Sequence, residues 1–228
     1  LASSGAGGVV ANIPDVTSIA YLNTIPYNSI PLDAGTAQML NGAFATYNGG
    51  LQMVASFGFI SAAEAAARTI VFAAGQNAVT LEDDDLTNLS FLGIPSYRMA
   101  TANDKIVLTA STFLGTTVGG NPTLINGVSV PLANNWVLTE SEVAEAQAAV
   151  NSFNGTIQGV TSQYGWALWD ANAVLNQVVG PGLPMDDFVM TGDLVFGGLF
   201  SLDGVHPTAR GNAAIAKLML EAIDAHYG

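Results

Sequence analysis

The chain has 228 residues, half of them hydrophobic and only 10% charged, so it can bury a sizeable core and is too apolar to be disordered. Five basic residues against 18 acidic ones give a net charge of −13, which excludes a phosphate-neutralising nucleic-acid surface and attraction to anionic lipid. With no cysteine and two histidines, disulfides, thiolate metal sites, cysteine nucleophiles and histidine-rich metal centres are excluded as well.

The opening residues, Leu1-Ala2-Ser3-Ser4-Gly5, carry no basic region and no initiator Met, so no signal peptide is expected and the start reads like that of a cleaved or truncated chain. Gly8–Ile13 is an unbroken apolar run stopped by Pro14-Asp15, the pattern of a strand covered on both faces in a parallel sheet. Residues 17–31 read as loop. Residues 36–57 read as a helix, with Gly49-Gly50 the place where it could break. Ser61-Ala62-Ala63-Glu64 has the form of a capping box opening a short helix. Thr69–Phe72 and Ala78–Leu81 are spaced to form a hairpin.

Two segments, 34–63 and 106–139, carry no charge and exceed a membrane span in length. Their Gln, Asn, Gly and Pro residues argue against a transmembrane helix and for a buried or interface-seeking lobe. Lys105–Thr109 is a second buried-strand candidate, and Gly119-Gly120-Asn121-Pro122 and Asn126-Gly127 mark turns. Thr139-Glu140-Ser141-Glu142 is another capping box, followed by Val143, Val150, Phe153, Ile157 and Val160 near helical spacing. Trp166–Trp169 reads as a strand ending at Asp170, then a helix through Val179 that stops at Gly180-Pro181. In the last helix Ile215, Leu218, Met219, Ala222 and Ile223 share one face, and Lys217, Glu221 and Asp224 the other.

The order helix–strand–helix–loop–helix in the C-terminal third points to an α/β sandwich with a mainly parallel sheet, spanning residues 1–228 as one domain. The stretch of about 32–136 is too long for a loop and too apolar for a linker, so it is expected as an insertion packed over the catalytic edge. Its Met39, Phe44, Met53, Phe57 and Phe59 suit a lid or an ordinary core equally well.

One segment carries chemistry. In Asp203-Gly204-Val205-His206-Pro207-Thr208 a carboxylate stands three residues before a histidine, in a Gly-containing turn ahead of a helix. Such a carboxylate can hold imidazole Nδ1 and leave Nε2 free to take a proton from a nucleophile. Pro207 biases His206 toward extended geometry. The alternative is a capping loop whose histidine merely packs.

Phe200–Asn212, read as Phe-Ser-Leu-Asp-Gly-Val-His-Pro-Thr-Ala-Arg-Gly-Asn, resembles the final signature block of the SGNH/GDSL esterase–lipase family, in particular a bacterial lipase-like branch. Gly8–Thr17, Thr24–Asn28, Val137–Val143 and Phe153-Asn154 resemble other parts of that branch. The resemblance implies a serine hydrolase with a three-layer α/β/α flavodoxin-like fold, incomplete at its N-terminus and carrying the long apolar insertion. It implies Asp203 as the orienting carboxylate and His206 as general base and then acid. It implies an ester or acylated substrate, no cofactor and no metal, and, from family habit, export from the cytoplasm.

The chain departs from the family at the nucleophile. The family's N-terminal G-D-S-L and G-x-N-D blocks are absent: Gly192-Asp193-Leu194 has no Ser after it, and Asn103-Asp104 follows Ala102. Ser3 and Ser4 precede the first strand and lack the strand–Ser–helix setting. The catalytic Ser is therefore expected in an N-terminal segment of the same protein upstream of Leu1. A different class, a non-catalytic binding or cell-surface interaction protein on a decayed scaffold, is the alternative. Elsewhere, Glu82–Asp85 reads as a solvated acidic loop rather than a Ca²⁺ ligand set, His226 as a helix end-cap, and Trp136, Trp166 and Trp169 as core.

Overall fold

Apolar runs of a few residues, each closed by Gly, Pro or Asn, leave room only for short strands. The computed structural model describes residues 4–228 and is mixed α/β, with helices and several short sheets. In chain order come β1 (Val9–Ala11), α1 (Ala20–Asn23), β2 (Ile30–Leu32), α2 (Ala34–Ser56), α3 (Ala62–Arg68), β3 (Gly75–Asn77), β4 (Thr80–Glu82), β5 (Tyr97–Met99) and β6 (Lys105–Ile106). They are followed by β7 (Thr117–Val118), β8 (Asn121–Ile125), β9 (Val137–Leu138), α4 (Glu140–Tyr164), β10 (Ala167–Trp169), α5 (Ala171–Val179), β11 (Leu183–Met185), β12 (Phe188–Met190) and α6 (Ala209–Tyr227). Among the described residues no helix is long and apolar enough to cross a membrane.

The expected mainly parallel three-layer sandwich is not confirmed. Among the described residues every sheet has two strands, and only β1–β10 is parallel, with Val9, Val10 and Ala11 opposite Ala167, Leu168 and Trp169. The pairs β2–β3, β4–β5, β6–β9, β7–β8 and β11–β12 are antiparallel. The chain divides into two compact units: residues up to Thr24 with Ala144–Gly228, and Ile25–Val143.

In the first unit α6 packs on both β10 and β1. β1 is half-buried rather than covered on both faces, because among the described residues β10 is its only strand partner. Just beyond it an asparagine takes the place of a strand: Asn154 accepts from Ile13 N–H at 2.8 Å and donates to Ile13 C=O at 2.7 Å. Asp170 caps α5 by accepting from Ala173 N–H, and α5 buries Ala171, Leu175 and Val178. Leu175 and Val178 join Ala20, Leu183, Met185, Met190, Leu199, Phe200 and Ala214 in one core. Full burial of side chains such as Met190 contributes about 1.5–3 kcal/mol each.

In the second unit α2 runs unbroken through Gly49-Gly50 and buries Leu40, Phe44, Leu51 and Val54 along one stripe. Gly50 is where Ile94 comes close: a Cβ there would lie 3.3 Å from Ile94 Cδ1. The expected hairpin of 69–72 with 78–81 does not form. Asn41 and Asn48, seven residues apart on α2, pair reciprocally with the backbones of Phe72 and Ile70 and satisfy that extended segment without a second strand. β3 pairs with β2 instead, and β4 with β5. The strand expected at 105–109 shortens to β6, as a 3-10 turn takes over from Leu108.

The long apolar insertion expected over 32–136 is not seen. Ile25–Val143 is a unit with its own core, centred on Ile70, Val79, Leu81, Ile106, Ala110 and Val128, and with its own buried ions. Arg68 is fully buried and donates to Glu64, Thr87 C=O and Pro95 C=O. The Thr139 capping box is reciprocal, with Glu142 Oε2 accepting from Thr139 N–H at 2.7 Å and Thr139 Oγ1 accepting from Glu142 N–H.

Candidate functional site

The Asp203–His206 loop is pinned at its base before any chemistry is considered. Phe200 is buried and bridges Pro207, Thr208 N–H donates to Leu199 C=O at 2.8 Å, and Ser201 N–H donates to His206 C=O at 2.8 Å. Thr208 then caps α6: its hydroxyl accepts from Gly211 N–H at 2.9 Å and donates to Gly198 C=O at 2.6 Å. Gly204 is required twice over. Its φ is +72°, and a Cβ would lie 2.6 Å from Tyr21 N, whose N–H donates to Gly204 C=O.

Held this way, the loop aims four donors at one carboxylate. Asp203 Oδ1 accepts from Ser201 Oγ (2.7 Å), Val205 N–H (2.9 Å) and His206 N–H (2.9 Å), and Oδ2 lies 2.6 Å from His206 Nδ1. The Ser201 hydroxyl first, then the two backbone N–H groups and the imidazole, hold Asp203 far below the ordinary carboxylate range. Asp203 is thus an acceptor at any moderate pH. The neutral imidazole tautomer that satisfies this acceptor has its proton on Nδ1 and its lone pair on Nε2. The His206 side chain is 79% exposed, so that lone pair faces incoming molecules rather than core.

No nucleophile stands against Nε2 among the described residues. Ser201 donates to Asp203 and not to the imidazole. Ser4 is exposed and precedes β1, while Ser3 lies outside the described residues. The segment Gly192-Asp193-Leu194 lines a polar cleft of about 550 Å³ with Ser18, Asn23 and Thr24, and Thr191 Oγ1 donates to Asp193 at 2.7 Å. Sequence reasoning missed this cleft, and it missed Ser201 as an Asp203 ligand, although a hydroxyl two residues before an aspartate is a readable turn signal.

Most of the other candidate residues have structural partners, whereas Trp169 Nε1 is buried without a hydrogen-bond partner among the described residues. Asp83 is bound by Arg98, Asp84 by Asn134 and Asp85 by the Ser141 hydroxyl. Among the described residues, no group of three or more His, Asp or Glu is placed to hold a metal ion. His226 Nε2 lies 3.0 Å from Gly165 C=O. Trp136 packs edge-on against Phe113 with centroids 4.7 Å apart, and Trp166 donates to Ala6 C=O. A second concavity belongs to the Ile25–Val143 unit. It is an apolar groove of about 710 Å³ between α2 and the 92–97 loop, with Phe44, Met53, Phe57, Phe59, Leu92 and Ile94 among its walls.

Comparison with models of protein families, with curated proteins and with solved structures finds no match.

Proposed function

We propose that Asp203 and His206 are the acid–base half of a serine ester hydrolase whose nucleophile is supplied from outside this chain. The observation that carries this reading is the 2.6 Å contact between Asp203 Oδ2 and His206 Nδ1 on an exposed, rigidly anchored loop. A serine hydroxyl presented to Nε2 would attack the ester carbonyl as His206 takes its proton. The imidazolium, stabilised by Asp203, would return that proton to the departing alcohol. Water would then repeat the sequence on the acyl-enzyme and release the acid. The resemblance of Phe200–Asn212 to the SGNH/GDSL block supports the same assignment.

The test uses two forms of the protein. Residues 1–228 alone should give no burst with a chromogenic ester and no labelling by a serine-directed fluorophosphonate. A protein that also carries the serine-bearing segment should do both, and His206→Ala should lower its kcat by several orders of magnitude. Labelling of a serine within residues 1–228, or near-normal turnover in folded His206→Ala, removes the reading. A second reading, a binding protein for apolar molecules, is favoured by the uncharged groove in the Ile25–Val143 unit.

A further inference from the structure

Beside the Asp203 loop the backbone holds an unusual turn. Phe196 N–H donates to Leu194 C=O at 2.8 Å, two residues back, with Val195 between them at φ +69°. Positive φ is a genuine outlier for a β-branched residue, and such strain persists only where the surroundings over-determine it. Here they do. Thr191 N–H donates to Gly197 C=O (2.8 Å), Gly197 N–H to Asp193 C=O (3.0 Å), and Thr208 Oγ1 to Gly198 C=O (2.6 Å). Gly197 packs so closely that a Cβ would lie 2.3 Å from Thr191 C=O.

The product of this strain is apolar surface next to the acid–base pair. Phe196 is 95% exposed, Leu202 78% and Val195 47%. Val195 and Leu202, with Phe200, Ser201, Asp203 and Thr208, line a depression of about 510 Å³. Asp203 thus belongs both to the His206 pair and to the wall of an apolar seat. The ionised Asp203 and the chain's net charge of −13 repel an anionic occupant, and the volume suits a small molecule rather than a protein face.

We infer that this depression seats the uncharged alkyl portion of the ester on which His206 acts, with Val195 and Leu202 determining its length. The inference rests on the hydrolase reading for the identity of the occupant, but the seat can be tested without turnover. The probe is octan-1-ol, compared with butan-1-ol, titrated into residues 1–228 while methyl resonances are followed by NMR. Saturable shifts are expected at Val195 and Leu202, with octan-1-ol bound at least tenfold more tightly, as each buried CH₂ contributes favourably.

Val195→Asn tolerates the left-handed backbone, and Leu202→Gln lies at the surface; both should fold and weaken octan-1-ol at least threefold. Val195→Gly removes the strain and the methyls together and should weaken it equally. If Val195 had only a structural role, Val195→Gly would leave affinity unchanged. Equal affinity for both alcohols, non-saturating shifts, or indifference to all three variants overturns the seat. His206→Ala should leave octan-1-ol affinity intact, so the two ideas fail separately. Absent alcohol binding beside His206-dependent turnover overturns the seat alone, whereas bound alcohol beside His206-independent turnover overturns the pair and, with it, the assigned occupant.

Discussion

Each unit holds a carboxylate tightly against a nitrogen side chain, and the two arrangements differ in what they leave over. In the Ile25–Val143 unit, Arg98 donates to Asp83 at 2.5 Å and, in a fork, to Asp104 at 2.7 and 2.8 Å. Asp104 also accepts from Thr101 N–H and Glu140 N–H, and all three ions are buried. Burial alone would raise the Asp104 carboxyl, but the Arg98 hydrogen bonds, the Thr101 N–H and the Arg98 charge hold it below its ordinary value. In the Asp203–His206 pair the carboxylate is equally well supplied, yet the imidazole is exposed and keeps one nitrogen unspent. Saturation with burial makes a clamp, whereas saturation of one partner at the surface leaves an imidazole nitrogen unspent.

The largest effects should come from His206. On the hydrolase proposal, Asp203→Asn in a protein that includes the proposed serine-bearing segment should favour the wrong imidazole tautomer and lower kcat by up to about 10⁴-fold. The double variant with His206→Ala should be hardly worse than His206→Ala alone, since the two act as a unit. Multiplicative losses in steady-state kinetics would mean that Asp203 and His206 do separate jobs. Neither substitution should move the urea midpoint much, because the pair is at the surface.

Asp104→Asn should do the reverse, costing about 3–5 kcal/mol of stability in urea denaturation because Arg98 is left buried without its fork. Replacing Arg98, Asp83 and Asp104 together by Met, Asn and Asn should recover much of that loss. The pH dependence has a definite sign. Asp104 is lowered in the folded chain from an ordinary value of 3.8, so its contribution is complete above that value and is lost as pH falls through the lowered one. The wild-type urea midpoint should therefore fall more steeply below pH 4 than that of the triple variant. A flat acid limb in the wild type would show that the cluster is not coupled to folding.

Thr208 tests the anchor of the Asp203 loop. Thr208→Ala removes the α6 cap and the bond to Gly198 and should cost about 1 kcal/mol, while Thr208→Ser should keep most of it. An equal loss in both would place the threonine methyl, and not its hydroxyl, in control.

Much of the local structure was legible because it depends on neighbours in sequence. The Ser61 cap, the Thr139 box and the helix after Pro207 rest on side chains within three or four residues of the backbone they serve, and the turn at Gly119-Gly120 on the positive φ that glycine allows. The spacing of Asp203 and His206 was legible for the same reason, as a three-residue offset in a Gly turn brings them into contact. What was not legible depends on distant partners. Nothing around Thr69–Phe72 announces that Asn41 and Asn48 will occupy its hydrogen bonds, so the segment reads as a strand. The apolar run at β1 reads as a central strand, though whether neighbours cover it is not encoded locally. Val195 looks like any strand residue, since its left-handed backbone is imposed by Gly197, Thr191 and Thr208.

The smallest expected effect concerns Phe57, which the sequence presents as core or lid. It ends α2 and is 73% exposed on the rim of the apolar groove. A buried phenylalanine truncated to a small residue would cost about 3–5 kcal/mol, whereas a surface position away from special features stays within about 0.5 kcal/mol. Phe57→Gln is the cleaner substitution. It is neutral, so it avoids setting a carboxylate against the negative end of the α2 dipole, and it keeps a side chain of comparable reach. The urea midpoint should be almost unchanged. If the groove holds apolar molecules, titration with a neutral hydrophobic fluorophore should show weaker binding in Phe57→Gln, while octan-1-ol shifts at Val195 and Leu202 should be unaffected. A stability loss of several kcal/mol would mean that Phe57 is covered in solution and that the groove is closed.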